Sequence, residues 1–211
     1  MTNSQQIPFY SEGFASLRFG DVLSGFALSF CIGYKPQSTA IPTNYRIDIT
    51  HFQYVAVLTP CCTIQNKLGN TLVVTPLEII KPQYYFKNSL FKQDLTLLNR
   101  PLTWLEWVGP ENEGDEELRK EIYPGKQYNE FNIFVYKEHP LLEEYDIKYI
   151  GNLSARVGAY QIDFRNIFKI ECKPEYDIRA FKLLQLSKQA RNDLRLKMTN
   201  YFGRTPDEDL V

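Results

Sequence analysis

Tyr54-Val55-Ala56-Val57-Leu58-Thr59 and Thr71-Leu72-Val73-Val74-Thr75 are short, almost unbroken apolar runs, each closed by a proline, Pro60 and Pro76. Their length and β-branched content predict strands covered on both faces. Lys67-Leu68-Gly69-Asn70 supplies turn residues between them, so the two are predicted to pair as a hairpin. Upstream, Leu17-Arg18-Phe19-Gly20-Asp21-Val22-Leu23 opens an apolar stretch that continues to Tyr34, and Lys35–Thr43, with its two prolines, reads as a loop. Downstream, strand-like alternation returns at Phe131–Tyr136, Tyr145–Ile150 and Tyr160–Cys172. In the last, Tyr160, Ile162 and Phe164 alternate with Gln161, Asp163 and Arg165. The chain closes on a helix of about Lys188–Phe202. Its apolar stripe is Leu183, Leu186, Ala190, Leu194, Met198 and Tyr201, with Ser187 as N-cap and Gly203 just past the end.

Residues 81–130 interrupt this pattern and read as an insertion. Asn88–Asn99 has near-helical spacing of Leu90, Phe91, Leu95 and Leu98, and Pro101 follows. Trp104-Leu105-Glu106-Trp107-Val108 reads as a strand carrying two tryptophans. Glu106–Glu121 carries seven acids against two bases, a solvated acidic loop. The whole is predicted as one domain, 1–211, of mainly β (α+β) class. It combines a small barrel, an aromatic and acidic insertion, and a C-terminal amphipathic helix over 187–203.

Composition narrows the function. With 211 residues, 44% hydrophobic and 23% charged, the chain is neither disordered nor low in complexity. A net charge of -1 argues against indiscriminate binding to nucleic acid, and leaves room for a local basic face. The first residues lack the features of a signal peptide, and the longest apolar stretches are shorter than a membrane span. Cys31, Cys61, Cys62 and Cys172 show no C-x-x-C spacing, so reduced thiols and a cytoplasmic location are expected. Adjacent Cys61 and Cys62 would point to opposite sides of a strand. No metal site and no cofactor is predicted. Nucleotide-hydrolase, zinc-protease and lipase motifs are missing from the sequence.

Gly20-Asp21-Val22, the Tyr54–Thr59 strand and Thr71–Pro76, in this order, resemble the MazF/PemK-like toxin family. The resemblance implies an SH3-like barrel with a C-terminal helix, dimerisation, metal-independent endoribonuclease activity and an antitoxin-like protein partner. Aligning Leu58-Thr59 with the family's Leu-Ser puts Gln53-Tyr54 where its Arg-Pro pair stands. Aligning Pro76 puts Glu78 where its hydroxyl residue stands.

Metal-free RNA cleavage needs a base, an acid and a cation for the phosphorane. Glu78 and His51 are the candidates for proton transfer, and Arg46 and Arg18 for the positive charge, all four expected at one barrel mouth. Lys188, Arg191 and Arg195 share one side of the closing helix and could face phosphates. Two functions follow. One is a divergent toxin-family protein that engages RNA and cleaves it, in growth arrest or phage defence. The other is a non-catalytic barrel that binds a protein partner, with Trp104 and Trp107 in the docking patch. Neither involves a membrane.

Overall fold

The computed structural model describes residues 8–13, 16–32, 46–60, 64, 71–115, 128–172 and 177–203, with backbone alone at 30–32 and 46. In chain order the strands begin with β1 (Tyr10–Ser11), β2 (Val22–Ile32), β3 (Arg46–Val57), β4 (Thr71–Pro76) and β5 (Glu78–Ile79). Three short helices follow, α1 (Pro82–Lys87), α2 (Ser89–Gln93) and α3 (Trp104–Val108). Then come β6 (Ile133–Tyr136), β7 (Tyr145–Tyr149), β8 (Leu153–Val157), β9 (Tyr160–Asp163), β10 (Phe168–Glu171) and β11 (Lys182–Leu186), and α4 (Lys188–Phe202) closes the chain.

The main sheet has six antiparallel strands in the order β1-β11-β2-β3-β4-β10. It is a curled half-barrel whose end strands do not pair with each other, so the closed cylinder expected from the sequence opens into an arc. The predicted β3–β4 pairing is present, with Val55, Ala56 and Val57 opposite Pro76, Thr75 and Val74.

Both faces of this sheet are covered, which explains the unbroken apolar runs. Leu23, Val55, Val57, Leu72 and Val74 share one cluster. Val22, Tyr54 and Ala56, on the other face, meet Phe134, Tyr136 and Ile162 and the helix residues Ala190 and Leu194. A third cluster lies under the insertion, where Tyr84, Phe91, Leu95 and Leu98 pack on Ile133 and Val135 of a smaller sheet, β5-β9-β6.

Two glycines shape the start of β2. Gly20 has φ +83°, its amide donates to the Val57 carbonyl at 2.7 Å, and a Cβ there would meet Leu186 Cδ1 at 2.6 Å. Gly25, at φ +75°, lets the β2–β3 ribbon roll over. Leu23 and Leu28 enter the same cluster although five residues apart, which a straight strand would put on opposite faces.

Tyrosine hydroxyls fix the turn after β6. Tyr10 donates to the Lys137 carbonyl, Tyr160 donates to the Glu143 carbonyl, and Tyr54 accepts from the Glu143 amide. Burial pushes the Tyr160 hydroxyl up to about 12, and pushes Tyr10 and Tyr136 up as well.

Three local predictions are corrected. Trp104–Val108 is a helix, because Thr103 and Glu106 form a reciprocal capping box at its start. The Asn88–Asn99 segment breaks at Asp94, whose extended backbone and Thr96-capping carboxylate separate α2 from a 3-10 turn, Leu95–Asn99. Leu183 and Leu186 belong to β11, and α4 begins after the Ser187 cap, as its sequence indicated.

Candidate functional site

The four residues proposed for RNA cleavage start from different elements. The Arg18 amide donates to Asp21 Oδ2 at 2.8 Å, just before Gly20 joins the Val57 end of β3. Arg46 is the first residue of β3, opposite Ile32, at the far tip of the ribbon. From position 46 to 57 the strand spans about 36 Å at roughly 3.3 Å per residue. His51 lies between them, opposite Ala27 and exposed. Glu78 sits in the smaller sheet, opposite Gln161, and its Oε1 accepts from Asn166 Nδ2 at 2.8 Å. One mouth does not hold all four, because β2 and β3 form a single long ribbon rather than short barrel strands.

Glu78 does border a groove of about 530 Å3, walled by Phe52, Leu77, Ile79, Ile80, Pro82 and Gln161, with Lys81 as the cation beside it. Gln161 is buried, and its Oε1 has no hydrogen-bond partner among the described residues. This arrangement offers one carboxylate, one ammonium and an amide around an apolar floor. It suits binding better than a two-step proton transfer.

The helical cations divide by role. Lys188 and Arg195 are exposed, with Arg195 lying over the Phe19 ring at 5.7 Å. Arg191 is half-buried and donates to the Leu186 carbonyl at 2.9 Å, so it ties α4 to β11. The tryptophans pack within the insertion. Trp104 and Trp107 lie 5.4 and 5.9 Å from the Tyr128 ring, and Lys87 Nζ sits 4.2 Å over Trp107. Both are half-buried, and Trp107 packs against the cluster under the insertion.

The distal half of the β2–β3 ribbon carries the most exposed apolar surface on a strand. Pairing runs from Val22↔Ala56 out to Ile32↔Arg46, while β11 meets β2 only near Val22–Leu23 and β4 meets β3 only at Val55–Val57. Beyond Phe26↔Phe52, among the described residues, each strand therefore has just the other for a neighbour. Ala27 and Ser29 share an exposed face with Ile47, Ile49 and His51, and Ile47 and Ile49 are 66% and 68% exposed. The Cys61-Cys62 pair lies outside the described residues.

Two buried ionisable groups escaped the sequence reading. Asp21, in the Gly-Asp step, is fully buried and paired with Lys182. Burial drives its carboxyl up, against the Lys182 hydrogen bond and charge and the Arg18 amide. Lys197 is also buried. Its signal was a lysine three residues after Leu194, on the helix's own apolar stripe. Among the described residues no cluster of His, Cys, Asp and Glu could hold a metal, and no helix is long and apolar enough to cross a membrane. Comparison with protein-family models, curated proteins and solved structures finds no match for this chain.

Proposed function

We propose that this chain is a non-catalytic protein-binding module, a divergent MazF/PemK-like half-barrel whose projecting β2–β3 ribbon docks an extended segment of a protein partner. The observation that carries this reading is the ribbon itself, with Ile47 and Ile49 exposed on strands that lack further neighbours among the described residues. Such a ribbon offers main-chain hydrogen bonds along its edges and apolar side chains on its face. The curled antiparallel sheet with its closing helix is the coarse architecture that the family reading calls for. The spread of Arg18, His51, Arg46 and Glu78 favours binding over cleavage.

The test is affinity capture from RNase-treated extract of the native cell, with wild type beside Ile47→Lys/Ile49→Lys. One stoichiometric protein with the wild type, lost with the double variant, is expected. Wild type recovered alone, or an unchanged yield with the variant, overturns the reading. RNA engagement has its own support in the exposed Lys188 and Arg195 of α4, and RNA retained in place of protein in a parallel capture without RNase would select it.

A further inference from the structure

A second groove, between α4 and the 3-10 turn Leu95–Asn99, takes no part in that docking. It encloses about 480 Å3, with Phe9, Leu97, Phe131 and Leu196 as apolar walls and Lys197 and Asn129 among its polar groups. Lys197 is 5% exposed, and its Nζ donates to the Leu98 carbonyl. The neighbouring charges are committed elsewhere. Asp94 accepts from the Thr96 amide and hydroxyl, Asp193 accepts from Gln189, and Arg100 pairs with Glu106. Glu130, the acid whose charge acts on Lys197, accepts from the Tyr84 hydroxyl. Burial accordingly pulls the Lys197 amine down to about 7, with Glu130 opposing. A lysine that is neutral near physiological pH keeps a lone pair for attack on carbonyl carbon.

The geometry points to a carbonyl-capture site, in which Lys197 condenses reversibly with a small aldehyde or ketone held in this groove. The Nζ lone pair forms the C–N bond while the carbonyl π pair moves to oxygen, and an Nζ proton passes to that oxygen. The carbinolamine then takes a proton from solvent and loses water. Amine, carbonyl and proton become iminium and water, and hydrolysis reverses the step without any redox partner. Asn129 Oδ1, buried and without a partner among the described residues, adds an acceptor in the same wall, which favours carbonyl compounds that carry a hydroxyl.

The full chain is treated with glycolaldehyde and cyanoborohydride at a series of pH values, and adducts are assigned by peptide mass spectrometry. At pH 7 Lys197 is expected to label at least tenfold above the mean of the other lysines. Its rate should level off just above pH 7 while the others keep rising, and the selectivity should vanish in urea. Labelling of Lys197 at or below that mean in the folded protein, or a pH profile matching the surface lysines, overturns the site.

Discussion

Lys182 Nζ lies 2.8 Å from Asp21 Oδ2, and the two side chains are 8% and 0% exposed. The same ammonium donates to the Ser16 carbonyl at 2.9 Å and to Gln185 Oε1 at 2.7 Å, so all three of its protons are used. This pair joins the turn before β2 to β11, beside the Gly20–Val57 hydrogen bond that sets β2 against β3. Removing either partner leaves a buried charge uncompensated. Lys182→Met and Asp21→Ala are each expected to lower stability by about 3–5 kcal/mol, read from urea unfolding. The double substitution should cost less than the sum of the two.

The capping box of α3 gives a second, smaller expectation. The Thr103 hydroxyl accepts from the Glu106 amide, and Glu106 Oε2 accepts from the Thr103 amide. Thr103→Ala should destabilise by about 1 kcal/mol. The Arg100 guanidinium and the Thr103 amide hold the Glu106 carboxyl down at about 2, against 4.5 when unpaired. The folded state therefore binds this proton later than the unfolded chain does. The contribution is whole above about pH 4.5 and is lost as pH falls toward 2. Glu106→Gln should flatten that part of an acid-unfolding profile.

How much was legible followed from period and capping. Tyr54–Thr59 and Thr71–Pro76 announced themselves because both their faces are buried, and Ser187 and Gly203 bounded α4 because helix ends need side-chain or backbone caps. Trp104–Val108 misled because five residues carry too little periodicity to separate helix from strand, and the deciding contact is local, Thr103 to Glu106. Closure of the barrel was not legible, since it depends on which strand ends meet. The gathering of Arg18, Arg46, His51 and Glu78 failed for the same reason, because register along a long ribbon decides distance. Lys182 was beyond reach, as its partner Asp21 lies 161 positions away in the chain.

Lys197 makes a pH prediction of the same sign as that of Glu106, in a higher window. Its amine takes up a proton near pH 7 when folded, against 10.5 in the unfolded chain. Between these limits the unfolded chain binds more protons, so stability rises with pH through this window and the contribution is gone below it. Lys197→Met removes the titrating group. Chemical denaturation at pH 7 and pH 9.5 should show a stability gain in wild type that the variant lacks.

Long single-stranded RNA incubated with the protein and EDTA should stay intact. Gel analysis should show no difference between wild type, Glu78→Ala and Arg46→Ala. Cleavage by wild type that either substitution abolishes would restore the nuclease reading.

Hydrogen exchange on the captured complex bears most directly on the ribbon. Peptides covering Phe26–Ile32 and Arg46–Phe52 should exchange slowly with the partner bound and at least tenfold faster without it, while α4 is unchanged. Protection confined to α4, or none on the ribbon, would contradict docking there.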